Sequence, residues 1–170
     1  TGTRFAALNN GTIGAYTGGT SAANFGWTSS NPNTVNYDVA GVGSALGVQR
    51  TANTVRYTGA SGNQGYGSGN TNLFPVNALI NAGTGTLTIS QAAGLSGVVA
   101  GTGGGELVLN AANAGITISA PIYNSDASTT GATTNVTNGA TDSTVVITGS
   151  NAVTLSGGNS FTGGTILNTG

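Results

Sequence analysis

Few residues in this sequence could carry out chemistry. Paired carboxylates can cleave polysaccharides when one acts as an acid and the other as a base or nucleophile. Asp126 and Asp142 lie at the two ends of one polar segment, and Glu106 is the remaining acid in that half of the chain. All three arginines precede residue 57, so no basic group accompanies these acids. We interpret the acids as solubilising or turn-forming residues and predict no catalytic residues. The charged residues are Arg4, Asp38, Arg50, Arg56, Glu106, Asp126 and Asp142.

The same polar segment carries oxygen donors of the kind that calcium prefers. The calcium-binding repeat G-G-x-G-x-D is absent, because Gly163-Gly164 is followed by Thr165-Ile166 without an aspartate. The sequence therefore predicts no metal site. The candidate donors are Asn124, Asp126, Asn135 and Asp142.

The missing residue types exclude further chemistry. The chain has no Lys, His, Cys or Met. It therefore lacks a His/Cys zinc site, a Ser-His or Cys-His nucleophile pair and a disulfide framework. The glycine run at 101–105 has no following Lys and precedes a predicted strand, so it indicates a corner rather than a phosphate loop. Three arginines cannot neutralise several phosphates. We predict no enzyme activity, no cofactor and no nucleic-acid partner.

Composition indicates an exported β-protein. Gly, Thr, Asn and Ser together make up 94 of the 170 residues, and the net charge is −1. The apolar residues are few, but they cluster in short alternating runs between Gly-rich and Asn-rich corners, which is typical of strands and turns. No apolar run approaches the roughly 20 residues of a membrane helix, so we expect no membrane insertion. An uncharged surface without Cys favours an extracellular or bacterial cell-surface location.

Six short segments of the second half are predicted strands, and the first of them, 86–90, alternates polar and apolar residues, the period of a half-buried strand. Some recur at a spacing near 20: Leu87 and Ile89 map onto Leu107 and Leu109, and Ile147 maps onto Leu167 by the same step. Such a period is typical of one coil of a β-solenoid. The alternative is an antiparallel β-sandwich, which also uses many short strands. The segments are 86–90, 106–110, 115–119, 144–148, 153–156 and 165–168.

The first 74 residues differ, because they hold eight of the ten aromatic residues. We expect 1–74 to form wider, less regular coils or a cap, and 75–170 to form a regular solenoid within one continuous domain. Residues 59–69 read as a Gly-rich link. Candidate strands are 4–8, 35–40, 48–50 and 54–57, and the aromatic residues are Phe5, Tyr16, Phe25, Trp27, Tyr37, Tyr57, Tyr66 and Phe74.

Residues 124–142 have almost no apolar content. We predict that they form a loop extruded from one corner of the coil. Asn138-Gly139 within this segment is a strong turn signal.

The last nineteen residues, AVTLSGGNSFTGGTILNTG, resemble the autotransporter-associated β-strand repeat of large bacterial surface and secreted proteins. That repeat runs roughly L-T-L-S-G-x-N-T-Y-T-G-G-T-T-x-x-x-G. Here Val153, Phe161 and Ile166 replace its usual Leu, Tyr and Thr. The resemblance implies a right-handed parallel β-helix, a surface-attached or shed location and no catalytic residues. The matching structural positions are Leu155, Gly157, Asn159, Phe161, Gly163 and Gly164.

The distribution of charge between the two parts of the sequence indicates how the chain could associate with partners. Residues 1–60 carry a net charge of +2 and residues 61–170 carry −3, so a rod could join end to end with copies of itself or with neighbouring repeats. We predict a non-enzymatic structural module that forms a surface fibre, stalk or matrix filament. The alternative is an adhesin or glycan-binding passenger, in which exposed Trp27, Tyr57 and Tyr66 stack on sugar rings.

Overall fold

The computed structural model describes residues 6–9, 12–15, 18–27, 34–67, 72–91, 95–101, 105–130 and 135–168. Within these ranges the chain forms seventeen β-strands and no helix, so the prediction of an all-β protein is confirmed. The strands are β1 (Ala6–Asn9), β2 (Thr12–Ala15), β3 (Thr20–Ala22), β4 (Asn36–Val39), β5 (Ala52–Tyr57), β6 (Gly62–Tyr66), β7 (Leu73–Asn81), β8 (Leu87–Gln91), β9 (Gly97–Ala100), β10 (Glu106–Ala111), β11 (Ile116–Ile118), β12 (Ile122–Tyr123), β13 (Ser128–Thr130), β14 (Asn135–Thr137), β15 (Thr144–Gly149), β16 (Val153–Leu155) and β17 (Thr165–Asn168).

Two parallel sheets contain most of these strands. The first sheet has the order β17-β15-β10-β7-β5-β4-β3, with a branch in which β9 pairs with the start of β7 and β12 pairs with β9. The second sheet has the order β16-β11-β8-β6. The antiparallel pairs in the described ranges are the hairpins β1-β2 and β13-β14. The antiparallel sandwich alternative is therefore wrong.

Inward side chains stack in register from strand to strand. In the first sheet Leu79 aligns with Leu109, Leu109 with Ile147, and Ile147 with Leu167. In the second sheet Ile89 aligns with Ile118, and Ile118 with Leu155. Successive residues of a strand point to opposite faces, so the alternating pattern turns these apolar columns toward the core. Both sheets contribute to a single main core cluster.

The strand alignments predicted from the 20-residue spacing are only partly correct. Ile147 does align with Leu167, as predicted. The other mapping is wrong: Leu87 and Ile89 lie in the second sheet and align with Ile116 and Ile118, whereas Leu107 and Leu109 lie in the first sheet. Similar alternation in two strands does not show which sheet each joins, because that depends on the connections between them.

All six strands expected in the second half form, as do three of those expected in the first half, at β1, β4 and β5, although residues 4 and 5 of the segment 4–8 lie outside the described residues. The strand expected at 48–50 is absent; the nearest pairing there is an isolated bridge from Leu46 to Tyr66. The Gly-rich link at 59–69 contains β6, so that interpretation was wrong in part. The longest strand, β7, was missed. It contains Pro75, which has no backbone N–H, at a point where β7 pairs only with β9.

Aromatic residues fill the core of the first half. Trp27 and Tyr37 stack with ring centroids 4.2 Å apart, and Phe25 packs edge-on against Phe74 with centroids 6.1 Å apart. Tyr57 completes this cluster. Phe5 and Tyr16 lie outside the described residues. The proposed boundary at residue 74 falls inside β7, and the first sheet contains strands from both sides of it.

The segment 124–142 is not simply an extruded loop. Its hairpin β13-β14 folds back on the branch of the first sheet, where Ala127 and Val136 pack against a second core cluster. The hairpin covers apolar side chains of the branch that point away from the main core. The cluster that they form is small because the branch is short. Asn138-Gly139 follows β14 and does not connect the hairpin strands. The cluster consists of Leu73, Val99 and Tyr123.

Candidate functional site at the β17 end of the sheets

The last strand of the first sheet exposes apolar side chains. β17 pairs with β15 on one side and ends the strand order on the other. Ile166 is 54% exposed and Leu167 is 69% exposed. The remaining large exposed hydrophobic residues of the described ranges, Val48 and Leu95, lie outside the strands. β17 is therefore the main apolar surface that the described structure leaves uncovered.

Register explains why these two residues are exposed. Leu167 continues the inward column of Leu109 and Ile147, but no described strand lies beyond it. Ile166 continues the outward column of Val108 and Val146. A terminal strand also presents unpaired backbone N–H and C=O groups along its free edge. Apolar contact and strand pairing can therefore act together at this end.

The residues matched to the β-strand repeat form the corner that leads to β17. Leu155 and Phe161 are partly buried and pack against the main core. The Asn159 side-chain oxygen accepts a hydrogen bond from the Ile122 N–H at 3.1 Å, and the Ser160 N–H donates to the Ile122 carbonyl at 2.9 Å. These contacts join the corner to the branch strand below it.

The glycines of this corner allow close backbone approach. A Cβ at residue 157 would overlap the carbonyl of Ala120, and one at residue 163 would lie 2.8 Å from the Ser143 backbone. Gly163 donates its N–H to the Ser143 carbonyl at 2.9 Å. Gly164 has a φ of 89°, in the left-handed region that favours glycine. The six matched residues therefore have packing or backbone roles.

A polar cluster holds the 124–142 segment to the same corner. Asn124 is 1% exposed, and its side-chain nitrogen donates to the Gly139 carbonyl at 2.7 Å and to the Thr162 hydroxyl at 3.1 Å. Its side-chain oxygen accepts from the Thr162 N–H at 3.0 Å. The Asn138 side chain bridges the Asn124 N–H and the Ser160 carbonyl. Sequence reasoning did not find this cluster, because its members are distant in the chain.

The candidate acids Asp126 and Asp142 both accept structural hydrogen bonds. The Asp126 carboxylate accepts hydrogen bonds from the N–H groups of Ala140 and Thr141. Asp142 accepts one from the Thr162 hydroxyl at 2.5 Å. Glu106 is exposed at the start of β10. Among the described residues no group of three acidic, His or Cys side chains could hold a metal ion.

Hydrogen bonding sets the ionisation of Asp126. Slight desolvation raises its pKa, but the hydrogen bonds from Thr141, from its own backbone and from Ala140 together lower it below the ordinary 3.8. The acid of a glycosidase needs the opposite, a raised pKa that keeps it protonated near neutral pH. Asp126 is therefore unsuited to that role.

The three aromatic residues considered for sugar stacking are buried. Trp27 is 8% exposed, and Tyr57 and Tyr66 are 1% exposed. The Trp27 indole N–H donates to the Thr51 carbonyl at 3.1 Å, and the Tyr57 hydroxyl donates to the Ala60 carbonyl. The expectation that these rings are exposed was wrong, because their large apolar area is what fills the core of the first half.

One ion pair lies within the positively charged part of the chain. Arg56 on β5 lies 3.5 Å from Asp38 on the adjacent β4. The two side chains are partly exposed, so the pair is worth little energy. Because Asp38 is already counted in the net charge of +2 of residues 1–60, the pair leaves the charge asymmetry between the two parts of the chain unchanged. No charged residue follows Asp142 in the sequence, so β17 and the corner before it carry no charged side chain.

Comparisons with known proteins give no relative: the chain matches no protein family, no curated protein and no solved structure. In the described ranges no helix is long and apolar enough to span a membrane.

Proposed function

We propose that the chain is a non-enzymatic, extracellular structural module, a right-handed β-helical rod of the autotransporter-repeat kind. In this proposal the β17 end stacks on a second copy or on a neighbouring repeat, and the product is a surface fibre, stalk or matrix filament. The observation that carries it is the exposure of Ile166 and Leu167 on the free edge of a parallel sheet.

The order of the strands supports a coil. The chain passes from the first sheet at β10 to the second at β11, then to the branch at β12. After the 124–142 segment it returns to the first sheet at β15, to the second at β16, and to the first again at β17. Each return adds a strand parallel to the previous one, which is how a coil lengthens a rod.

The energetics also favour stacking. Burying an apolar side chain such as Leu yields about 1.5–3 kcal/mol when it goes from exposed to fully buried. Ile166 and Leu167 would both gain from a partner, and the edge of β17 would gain backbone hydrogen bonds. Residues 143–168 carry no charge, and the Asp142 carboxylate beside Thr162 is held in a hydrogen bond, so two copies meet there with little like-charge repulsion.

Two elements of this proposal, that the chain is non-enzymatic and that it is extracellular, are supported by its composition and by the ionisation of its acidic residues. The chain has no His, Lys or Cys to act as a base or nucleophile, and Asp126 has a lowered pKa. An uncharged Thr- and Asn-rich surface without Cys supports an exported location. A glycan-binding passenger has no support from Trp27, Tyr57 and Tyr66, since those rings are buried.

Size-exclusion chromatography with light scattering, together with negative-stain imaging, tests the stacking. We expect the chain to form larger species as its concentration rises, and Leu167→Lys to remove them, because a charged side chain would have to be buried at the contact. Val48→Lys is the matched control, since Val48 is exposed outside the strands at 46%. A monomer at every concentration, or equal assembly of both variants, would contradict the proposal.

A further inference from the structure

The two ends of the first sheet differ in what they expose. At the β3 end the exposed strand residues, Thr20 and Ser21, are polar, and the Trp27 ring that follows β3 in the chain is buried. None of the large exposed hydrophobic residues of the described ranges lies on β3 or β4. At the β17 end, by contrast, Ile166 and Leu167 are exposed. The β3 end therefore offers no described apolar surface that matches the one on β17.

A head-to-tail stack would bring unlike side chains together. One column of paired residues crosses the whole first sheet and links Thr20 on β3 with Leu167 on β17. If the β3 strand of a second copy continued this column beyond β17, Leu167 would align with Thr20 of that copy. A hydroxyl buried in apolar surroundings is costly unless it finds a hydrogen-bond partner, so the β3 end is a poor complement to β17. The column consists of Thr20, Tyr37, Val55, Leu79, Leu109, Ile147 and Leu167.

A second β17 end complements the first better than the β3 end does. Two such ends bring aliphatic side chains against each other, and each terminal strand offers the other a free backbone edge. Residues 143–168 carry no charge, so no charged side chain of this segment opposes the approach of like ends. A surface that pairs with itself about a two-fold axis forms a closed dimer.

Strand geometry limits how two β17 strands can join. A two-fold axis makes the strands antiparallel, and directly opposite residues of an antiparallel pair point to the same face. For the two first sheets to continue as one sheet over a joined core, the inward Leu167 must oppose an inward residue of the second copy. Pairing Leu167 with Leu167 of the second copy meets this condition and buries the more exposed of the two apolar side chains. Ile166 then lies opposite Asn168 of the second copy on the outer face.

We propose that the partner of the β17 end is the β17 end of a second copy, and that the two chains join tail to tail about a two-fold axis with Leu167 facing Leu167. This inference rests on the end-to-end stacking proposed above and names the partner in it. Each copy has one β17 end, so assembly through this contact stops at two copies. The product is a rod two copies long with both β3 ends outward, which among the products named above corresponds to a stalk.

Single-cysteine cross-linking tests the contact. The chain has no Cys, so each variant carries one thiol. Opposite residues of an antiparallel pair have Cα atoms about 4.5–5.5 Å apart, within the roughly 4.4–6.8 Å that a disulfide spans. We expect Leu167→Cys, treated with a mild oxidant at a concentration where the parent chain associates, to form a disulfide-linked dimer on a non-reducing gel. In a head-to-tail stack the two 167 positions lie too far apart to link, because the six strand-to-strand steps from β17 to β3 span roughly 29 Å.

Three further cysteine variants serve as controls, and circular dichroism checks that each one folds. Val48→Cys measures linking by random collision, since Val48 is 46% exposed outside the strands. Thr20→Cys mixed with a size-tagged Leu167→Cys measures head-to-tail contact, and we expect no more mixed product than Val48→Cys gives. Ile166→Cys should link less than Leu167→Cys, because Ile166 lies opposite Asn168.

A measurement without cross-linking complements these variants. Leu167→Ala should weaken the dimer about tenfold or more in sedimentation equilibrium, since the contact loses apolar burial from both copies. The parent chain should show monomer and dimer, with no larger species.

Several outcomes would overturn the tail-to-tail partner. Mixed product between Thr20→Cys and Leu167→Cys in excess of the Val48→Cys level would show a head-to-tail stack instead. Association of the parent chain while Leu167→Cys links no better than Val48→Cys would leave the stacking standing and remove only this partner. Stronger linking by Ile166→Cys than by Leu167→Cys would overturn the register in which Leu167 faces Leu167. A parent chain that stays monomeric at every concentration would overturn both this inference and the proposed stacking.

Discussion

Single buried polar groups show how this protein uses its many amide side chains. Asn81 is fully buried, donates to the carbonyls of Gly85 and Gly115, and accepts from the Gly83 N–H. Gln64 accepts from the Gly43 N–H and donates to the Ser44 carbonyl. Such bonds offset the cost of burying an amide, which otherwise amounts to about 1–3 kcal/mol.

Tyr66 is an exception at the same scale. Its ring is 1% exposed, burial raises its pKa, and its hydroxyl has no hydrogen-bond partner among the described residues. Tyr66→Phe should therefore leave the free energy of unfolding unchanged or raise it by about 1 kcal/mol, measured by urea denaturation. A decrease of more than about 1 kcal/mol in the free energy of unfolding would show instead that the Tyr66 hydroxyl is hydrogen-bonded in the folded protein. Tyr57→Phe is the control, and it should destabilise, since it removes the bond to Ala60.

Asp126 gives the chain a local pH dependence. Its pKa is lower in the folded state, so its stabilising contribution is present above 3.8 and is lost as the pH falls through the folded value. We expect the amide proton shifts of Ala140 and Thr141, followed by NMR from pH 6 to 2, to titrate with a midpoint below 3.8. Asp126→Asn should remove this titration. A midpoint at or above 3.8 would contradict the assignment.

Among the elements, the hairpin β13-β14 departs most from a regular array of strands. It is antiparallel, and it packs on the outer side of the branch through Ala127 and Val136. Outward apolar residues on the branch, such as Val99 and Tyr123, are covered by it. Asn124 and Asp126 precede β13, and both hydrogen-bond residues 139–141, which follow β14, so these contacts tie the two ends of the hairpin together. The hairpin is therefore a cover on one face rather than a free loop.

Val136→Asp tests that description. A charge placed against Leu73 and Val99 should detach the hairpin while the parallel sheets keep their own core. Hydrogen exchange should then become faster at β13 and β14 and stay unchanged at β10 and β15. Thr137→Asp is the matched control, because Thr137 is exposed on the same strand. Faster exchange throughout both sheets would show instead that the hairpin is part of the main cooperative unit.

The whole molecule is asymmetric from end to end. The β3 end carries the Arg56–Asp38 pair and the aromatic core, whereas β17 itself has no charged side chain and exposes Ile166 and Leu167. With so few charges, apolar burial and strand pairing supply most of any affinity between ends, and charge influences only direction. Charges farther apart than about 8 Å are screened at physiological salt.

Much of the secondary structure could be predicted from the sequence, for a definite reason. Strands such as β8, β11 and β16 alternate apolar and polar residues, and that period depends only on local backbone geometry. β7 was not predicted because Pro75 interrupts its pattern. β6 was not predicted because three of its five residues are Gly or Asn. For the candidate site, the repeat-like corner was visible in the sequence, but the exposure of Leu167 was not.

The sequence by itself determined the all-β class, many of the side chains that point inward and the absence of His, Lys and Cys chemistry, because residue types and period-2 alternation fix these locally. Only the tertiary structure decided which strands are neighbours, since Ile89 meets Ile118 rather than Leu109. It also decided that Trp27, Tyr57 and Tyr66 are buried and that the 124–142 segment folds back. Contacts between distant residues depend on the paths of the connections, and local patterning does not encode those paths.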